Sequence, residues 1–326
     1  MKQRILSGMR PTGKLHLGHL TGALETWVSL QNDYDNHHLI ADWHALTTAL
    51  DRTAELKENT RQMVMDWIAC GIDPEQSPIF VQSRIPQHAE LHLIFSMLIT
   101  VPRLERNPAV KEQAKALNIE DKMSYGHLGY PVLQAADILL YKGDLVPVGE
   151  DQLPHLEITR EIARRFNTLF APVFPEPEAK ITKFGRFPGT DAQRMSKSLN
   201  NTILISEKPA DLELKLRKCI TDPLKARRGD PGRPEVCPIF TYRQKFAPET
   251  ADQIAADCRS GVLGCAADKK ELTEKIAICM QPIWEKRRLY EENPSLIDDI
   301  LEDGTSRAQA IAKETMAEVR EAMKLP

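Results

Sequence analysis

A chain of 326 residues, 42% hydrophobic and 27% charged, can bury a sizeable core and is long enough for one large domain with a smaller one beside it. Its formal net charge of −3 carries no global nucleic-acid signal, so any contact with RNA must come from a local basic patch. It holds no apolar run of about 18 residues, and Met1-Lys2-Gln3-Arg4 leads into no signal-peptide core, so neither a membrane span nor export is expected; its 6 cysteines point to a reducing cytoplasm rather than a disulfide framework.

In chain order, Ile5 and Leu6 form a short apolar strand that runs into Ser7-Gly8, and a turn over residues 11–13 leads to an apolar-periodic helix. Leu20, Leu24, Val28 and Gln31 recur there at helical spacing. A Gly-rich strand-to-helix turn gathers backbone N–H groups at the positive end of a helix, which is where phosphate binds. His16 and His19 fall in the first turn of that helix and point the same way. Residues 38–42 read as a buried strand ending in polar Asp42 and His44, and residues 53–70 as a helix stopped by Gly71. Residues 79–82 form another strand, residues 86–99 another helix, and residues 145–148 a further short strand.

Strands alternating with helices of ten or more residues predict parallel pairing in a doubly wound sheet, with ligands beyond the strand C-termini. Gly8, Asp42 and Gly149 fall at that edge. Residues 172–188, rich in proline and polar side chains, read as a connection, followed by a loop over residues 189–201. Beyond about residue 205 the strand signal fades, and residues 207–304 read as mainly helical, broken by a basic Pro/Gly-rich segment at 223–234. Residues 306–323 put Ala312, Met316, Val319 and Met323 on one face of an amphipathic helix that must dock on the rest of the chain.

The chemistry concentrates in two stretches about 175 residues apart: His16-Leu17-Gly18-His19 and Arg194-Met195-Ser196-Lys197-Ser198. A lone lysine between serines is usually a solvated loop, and His-x-Gly-His alone is often an ordinary turn. Together they resemble the two ATP-binding motifs of class I aminoacyl-tRNA synthetases. Attack of an amino-acid carboxylate on the α-phosphate of ATP builds charge on that phosphorus and on the departing pyrophosphate, so the protein needs only to position and stabilise. Histidines at a helix N-terminus suit the α- and β-phosphates and a mobile lysine suits the pyrophosphate. Arg194 stands where that family has lysine, which keeps the charge and changes the donor geometry.

Tyr130, Gln134 and Asp137 share one face of a helix. Downstream, Val146-Pro147-Val148-Gly149-Glu150-Asp151-Gln152 brings a strand into a glycine turn with two acids and an amide. This pattern resembles the subclass that holds the tryptophanyl and tyrosyl enzymes. The resemblance implies that Tyr130 and Gln152 hold the substrate amino group, that Asp137 fixes the side-chain tip, and that Gly149 and Asp151 meet the ribose. It also implies ATP contacts from Arg10, Thr12, Gly18, His19, Arg194, Met195, Ser196 and Lys197, with His16, His19, Lys197 and Lys111 in the catalytic set. Tyrosyl enzymes of this pattern place a tyrosine hydroxyl on the first strand, where Leu6 has none. A pocket built for a phenol rejects partners lacking it by orders of magnitude. Leu6, Val146 and Val148 instead make an apolar slot, completed by Gly8, His44 and Gln134, with Asp137 able to accept an indole N–H. The wording Asp42-Trp43-His44-Ala45 also looks tryptophanyl.

The resemblance therefore implies an α/β fold: a doubly wound parallel-sheet (Rossmann-like) catalytic domain over residues 1–205, with a dimer and acceptor insertion at about 100–130. An α-helical anticodon-binding domain follows over residues 206–304, and a C-terminal helix, residues 305–326, packs back on the catalytic domain. The expected reaction is activation of L-tryptophan with ATP and Mg²⁺, the metal held mainly by the phosphates, then transfer to tRNA(Trp) by a cytoplasmic homodimer. A tyrosyl enzyme and a non-catalytic tRNA-binding relative are the alternatives. RNA contact is expected from Lys215, Arg217, Lys218, Lys225, Arg227, Arg228 and Arg233, with Arg103, Arg106 and Lys115 in the insertion. Cys237, Cys258 and Cys265 resemble part of an iron–sulfur motif seen in some tryptophanyl enzymes, but Asp268 stands where the fourth cysteine would be. A cubane normally takes four thiolates, so a lost 4Fe–4S cluster is the simpler reading.

Overall fold

The computed structural model describes residues 2–149, 152–181, 187–227 and 229–326. β1 (Arg4–Met9) leads through a turn into α1, a continuous run of Leu17–His19, a π-helical turn Leu20–Leu24, and Glu25–Leu30. β2 (Asp35–Ile40), α2 (Asp42–Leu46), α3 (Leu56–Ala69) and β3 (Ile79–Val81) follow. Gly71, just past α3, has φ +115°, a left-handed conformation that suits glycine as the helix stop. Five helices then precede β4 (Leu145–Val148): α4 (Gln87–Ser96), α5 (Val101–Glu105), α6 (Pro108–Leu117), α7 (Tyr125–Leu128) and α8 (Tyr130–Leu140). α9 (Leu153–Leu169) and β5 (Glu178–Ile181) complete the α/β part. The remainder is helical: α10 (Pro209–Lys218), α11 (Pro238–Phe246), α12 (Ala251–Ser260), α13 (Cys265–Glu292) and α14 (Ser295–Met323).

The strands form one all-parallel sheet in the order β3-β2-β1-β4-β5. The chain winds outward from β1 to β3, then crosses back and winds the other way through β4 and β5. The reversal falls between β1 and β4, where doubly wound sheets open their crevice. Strand residues alternate between two cores, as their two-residue period requires. Leu6, Leu39 and Phe80 join α4, α8, α9 and the end of α14 on one face; Ile40, Ile79 and Val81 join α1, α3 and the later helices on the other.

Two expectations need correcting. Residues 172–188 are not only a connection, because β5 lies within them and pairs with β4. Its sequence, Glu178-Ala179-Lys180-Ile181, is half polar because it is an edge strand with little buried surface. The strand expected at residues 38–42 begins at Asp35 and ends at Ile40, which makes Asp42 the first residue of α2.

The C-terminal helix begins at Ser295 and runs unbroken through residues 304 and 305. Ile297, Leu301, Ala308, Ala312, Met316 and Val319 are buried along one side at helical spacing. A Cβ on Gly304 would lie 2.0 Å from the Ile79 carbonyl oxygen, so this helix approaches the β3 backbone as closely as glycine permits. Gly304→Ala should therefore destabilise by about 1–3 kcal/mol through overpacking, against the roughly 1 kcal/mol that alanine gains in a helix. A thermal melt checks it: a lower Tm is expected, and a raised Tm would contradict the contact.

Candidate active site

Among the described residues β1 and β4 pair at Ile5 and Leu145 alone, and beyond that point their C-terminal ends open a cleft of about 670 Å³. Every residue expected around the amino acid lines it: Leu6, Gly8, His44, Tyr130, Gln134, Asp137, Val146, Val148 and Gln152. Arg10, Gly149 and Arg194 from the expected nucleotide set line it too. Leu6, Val146 and Val148 are buried strand residues, and they give the cleft an apolar wall.

Asp137 is fixed from several sides. It is 3% exposed, and its Oδ1 accepts from Gln82 Nε2 at 2.7 Å and His88 Nδ1 at 2.7 Å, while Oδ2 pairs with His44 Nε2 at 2.8 Å. His88 Nε2 meets the Tyr141 hydroxyl at 2.8 Å, which makes His88 a bridge between that hydroxyl and the carboxylate. Burial alone would raise the carboxyl group's pKa, but the hydrogen bonds from His44 and His88 outweigh it and hold Asp137 at about 2. The result is an ionised acceptor that cannot rotate, with lone-pair capacity left on Oδ2 for a donor in the cleft.

Tyr130 opens α8, and its hydroxyl meets His155 Nε2 at 2.7 Å. His155 lies in the first turn of α9, is 1% exposed, and approaches Asn107 through Nδ1 at 3.3 Å. Burial raises the Tyr130 pKa far above neutrality, so it stays a phenol.

The two expected ATP motifs meet beside this cleft. The His16 and His19 rings lie against each other at a tilt of 45° with centroids 3.8 Å apart, and His19 Nδ1 accepts the His16 backbone N–H at 3.2 Å. The neutral His19 ring therefore carries its proton on Nε2, free to donate. A Cβ on Gly18 would come 3.1 Å from the His16 ring, so glycine leaves the imidazole its place. Lys197 Nζ donates to the Thr12 carbonyl at 3.0 Å, tying the loop to the turn. The segments also bond through backbone: Leu17 N to Ile203 O and Ile205 N to Leu15 O, each 2.9 Å. Met195 is buried, so its side chain anchors the loop; Asn201 Oδ1 accepts the Ser196 N–H at 2.8 Å, which shapes it.

Burial lowers the His16 pKa to about 4, helped by Lys197 and Arg194, and lowers that of His19 to about 3, helped by His16. Both are therefore neutral at pH 7 and act as donors without charge. Proton NMR of the imidazoles, assigned with His16→Gln and His19→Gln, should show no titration of either between about pH 5.5 and 8. A midpoint near the ordinary value of about 6.5 would contradict the burial.

Other expected residues lie apart. α6 turns Ala109, Glu112 and Gln113 to the cleft, whereas Lys111 is exposed and does not line it. Asp151 and Arg228 fall outside the described residues. The basic cluster is divided: Lys215 pairs with Glu207, Arg233 with Asp222, and Lys225 donates to the Asp230 carbonyl. Arg217, Lys218, Arg227 and Arg233 are the exposed members, Arg233 already paired.

Cys237, Cys258, Cys265 and Asp268 do share one small cavity of about 20 Å³, room for roughly one water. Asp268 is already engaged there by fully buried Arg243, whose Nη2 donates to its Oδ1 at 2.6 Å. Three thiols, a neutralised carboxylate and so small a space do not fit a cubane.

Sequence reading missed Gln82, His88, Tyr141 and His155, which hold Asp137 and Tyr130 from behind. Their partners lie up to 55 residues away, and no local pattern marks them.

A family model described as tRNA synthetases class I (W and Y) matches residues 1–281. A tryptophan–tRNA ligase of Thermotoga maritima is 51% identical over 99% of this chain and 99% of its own. That of Aquifex aeolicus is 41% identical over 99% and 100%. The crystal structure of a Campylobacter jejuni tryptophanyl-tRNA synthetase complexed with ADP and tryptophan superposes with a TM-score of 0.89, at 32% identity, over 99% of this chain and 100% of that one.

Proposed function

The chain belongs to the class I tRNA synthetases of the tryptophan and tyrosine group, and from that premise we propose that it works as a tryptophan–tRNA ligase. It activates L-tryptophan with ATP and then transfers the tryptophanyl group to the 3′ end of tRNA(Trp). The observation that carries the choice of amino acid is the cleft itself, where an apolar wall of Leu6, Val146 and Val148 faces a fixed acceptor, Asp137. An indole fits both, by area and by its single N–H donor.

In this reading Asp137 takes the indole N–H, while Tyr130 and Gln152 orient the amino group. The tryptophan carboxylate attacks the α-phosphorus, a new C–O–P anhydride forms, and the bond to pyrophosphate breaks. His16 and His19 donate to the α- and β-phosphate oxygens, and Lys197 follows the departing charge once its loop releases the Thr12 carbonyl. Developing charge is what such pre-placed donors stabilise. A hydroxyl of the terminal ribose of tRNA then attacks the acyl carbon, and AMP leaves. Magnesium, held by the phosphates, would screen the charge of the triphosphate.

Residues 1–205 supply the catalytic domain; the helices over 206–304 take the anticodon, and the end of α14 packs back on the sheet. Exposed Arg217, Lys218 and Arg227 serve the RNA. A homodimer is supported by the apolar exposure of Leu93, Met97, Val101 and Tyr125 at 59%, 70%, 50% and 67% near the insertion. No helix among the described residues is long and apolar enough to cross a membrane, and we assign the enzyme's work to the cytoplasm.

Charging of purified tRNA(Trp) with labelled tryptophan tests the proposal. Tryptophan esterified in an ATP-dependent manner is the expected result; a folded protein that binds this tRNA without charging it would favour the non-catalytic reading. Protein purified anaerobically should be colourless and free of stoichiometric iron and sulfide at full activity. Near-stoichiometric iron with visible absorption lost in Cys265→Ser would show that the cavity takes a cluster after all.

A further inference from the structure

Helix α13 belongs to the C-terminal helical part, yet two of its side chains reach the stems of both ATP motifs. Arg287 is 2% exposed and donates through Nη1 to Asp66 Oδ1; Asp66, on α3, is fully buried and accepts the Leu15 N–H through Oδ2 at 2.9 Å. Leu15 is the residue before His16. Arg287 is held on its other sides by Gln62 and by Glu291, whose Oε1 accepts from Nε at 3.0 Å. Trp284 stands three residues earlier, on the same side of α13. Its Nε1 donates to the Ile205 carbonyl at 2.9 Å, just beyond the loop that carries Lys197, and the Ile205 N–H in turn donates to Leu15 O at 2.9 Å.

Three backbone groups of the two motif stems are thus fixed from one helix: the Leu15 N–H through Asp66, the Leu15 carbonyl through Ile205, and the Ile205 carbonyl directly. None of these side chains lines the cleft, so none touches the amino acid. A buried guanidinium–carboxylate pair is weak evidence for stability as such, since its desolvation offsets much of its attraction. It does fix geometry, because each partner is costly to leave alone.

We propose that Trp284 and Arg287 are positioning residues for the ATP half of the reaction: through Ile205 and Asp66 they set the distance between the His16–His19 turn and the Lys197 loop. The inference rests on the ligase reading for its catalytic meaning but not for its test. It also makes α13 the physical path by which the helical part bears on the ATP site.

The experiment measures equilibrium binding of ATP with Mg²⁺ and, separately, of tryptophan, in full-length Trp284→Phe, Arg287→Met and the double variant Asp66→Asn/Arg287→Met. Pyrophosphate exchange on the same samples gives KM and kcat. Trp284→Phe removes one donor and keeps the ring, so ATP affinity should fall about three- to tenfold, the range of one lost hydrogen bond. Tryptophan affinity should stay within about twofold. Arg287→Met should weaken ATP further. The double variant should recover part of that loss, since the amide introduced by Asp66→Asn would still accept the Leu15 N–H and would leave no charge unpaired. If Arg287→Met does not fold, Trp284→Phe and the double variant decide. Unchanged ATP affinity in the folded variants, or equal loss for both ligands, would overturn the proposal. Absence of exchange in the parent, with ATP binding that splits as described, would instead count against the ligase reading alone.

Discussion

Replacing Lys197 with alanine is expected to lower kcat for tryptophan-dependent pyrophosphate exchange by about 100- to 1000-fold while tryptophan affinity stays within about twofold. Lys197 lies outside the tryptophan cleft and holds the Thr12 carbonyl through Nζ at 3.0 Å, so its ammonium already sits at the turn that presents His16 and His19. Both imidazoles are neutral there, so charge building on pyrophosphate must be answered by cations, and Lys197 stands among them with Arg194 and Arg10. An interaction made mainly in the transition state lowers kcat and kcat/KM together, and that signature separates it from a simple binding contact. A loss below tenfold, or one confined to KM for ATP, would remove Lys197 from this role.

Asp137→Ala should raise the tryptophan KM by about 10- to 100-fold, in line with roughly 1–3 kcal/mol for a buried partner left unmade. His44, Gln82 and His88 all lose their acceptor in this variant, so Tm should fall as well. Kinetics separates the two effects: ATP KM is expected to change little, because the ATP motifs touch none of these groups. Equal losses for ATP and tryptophan would mean that Asp137 is only a structural anion.

Much of the site was legible because its parts are local. His16 and His19 share one helical turn, and Tyr130, Gln134 and Asp137 share one helix face, so spacing alone grouped them. β4 was legible from its apolar run, whereas β5, at a sheet edge, buries too little to be apolar. The supports behind the site were not legible. Gln82 meets Asp137 from 55 residues away, and Arg287 meets Asp66 across 221, and each looks like an ordinary polar residue until the chain has folded. The basic cluster shows the converse: charges grouped in sequence were partly absorbed by Glu207 and Asp222. The cysteines of the motif line one cavity, and what their spacing could not reveal was Arg243, inserted against Asp268.

The most direct test of the central claim is ATP–pyrophosphate exchange by the purified chain with each amino acid supplied singly and no tRNA present. It asks whether the cleft walled by Leu6, Val146 and Val148, with Asp137 fixed against it, selects an indole. Tryptophan is expected to support exchange with kcat/KM orders of magnitude above that for tyrosine or phenylalanine. Tyrosine working as well as tryptophan, or no amino acid supporting exchange in a folded protein, would contradict the account.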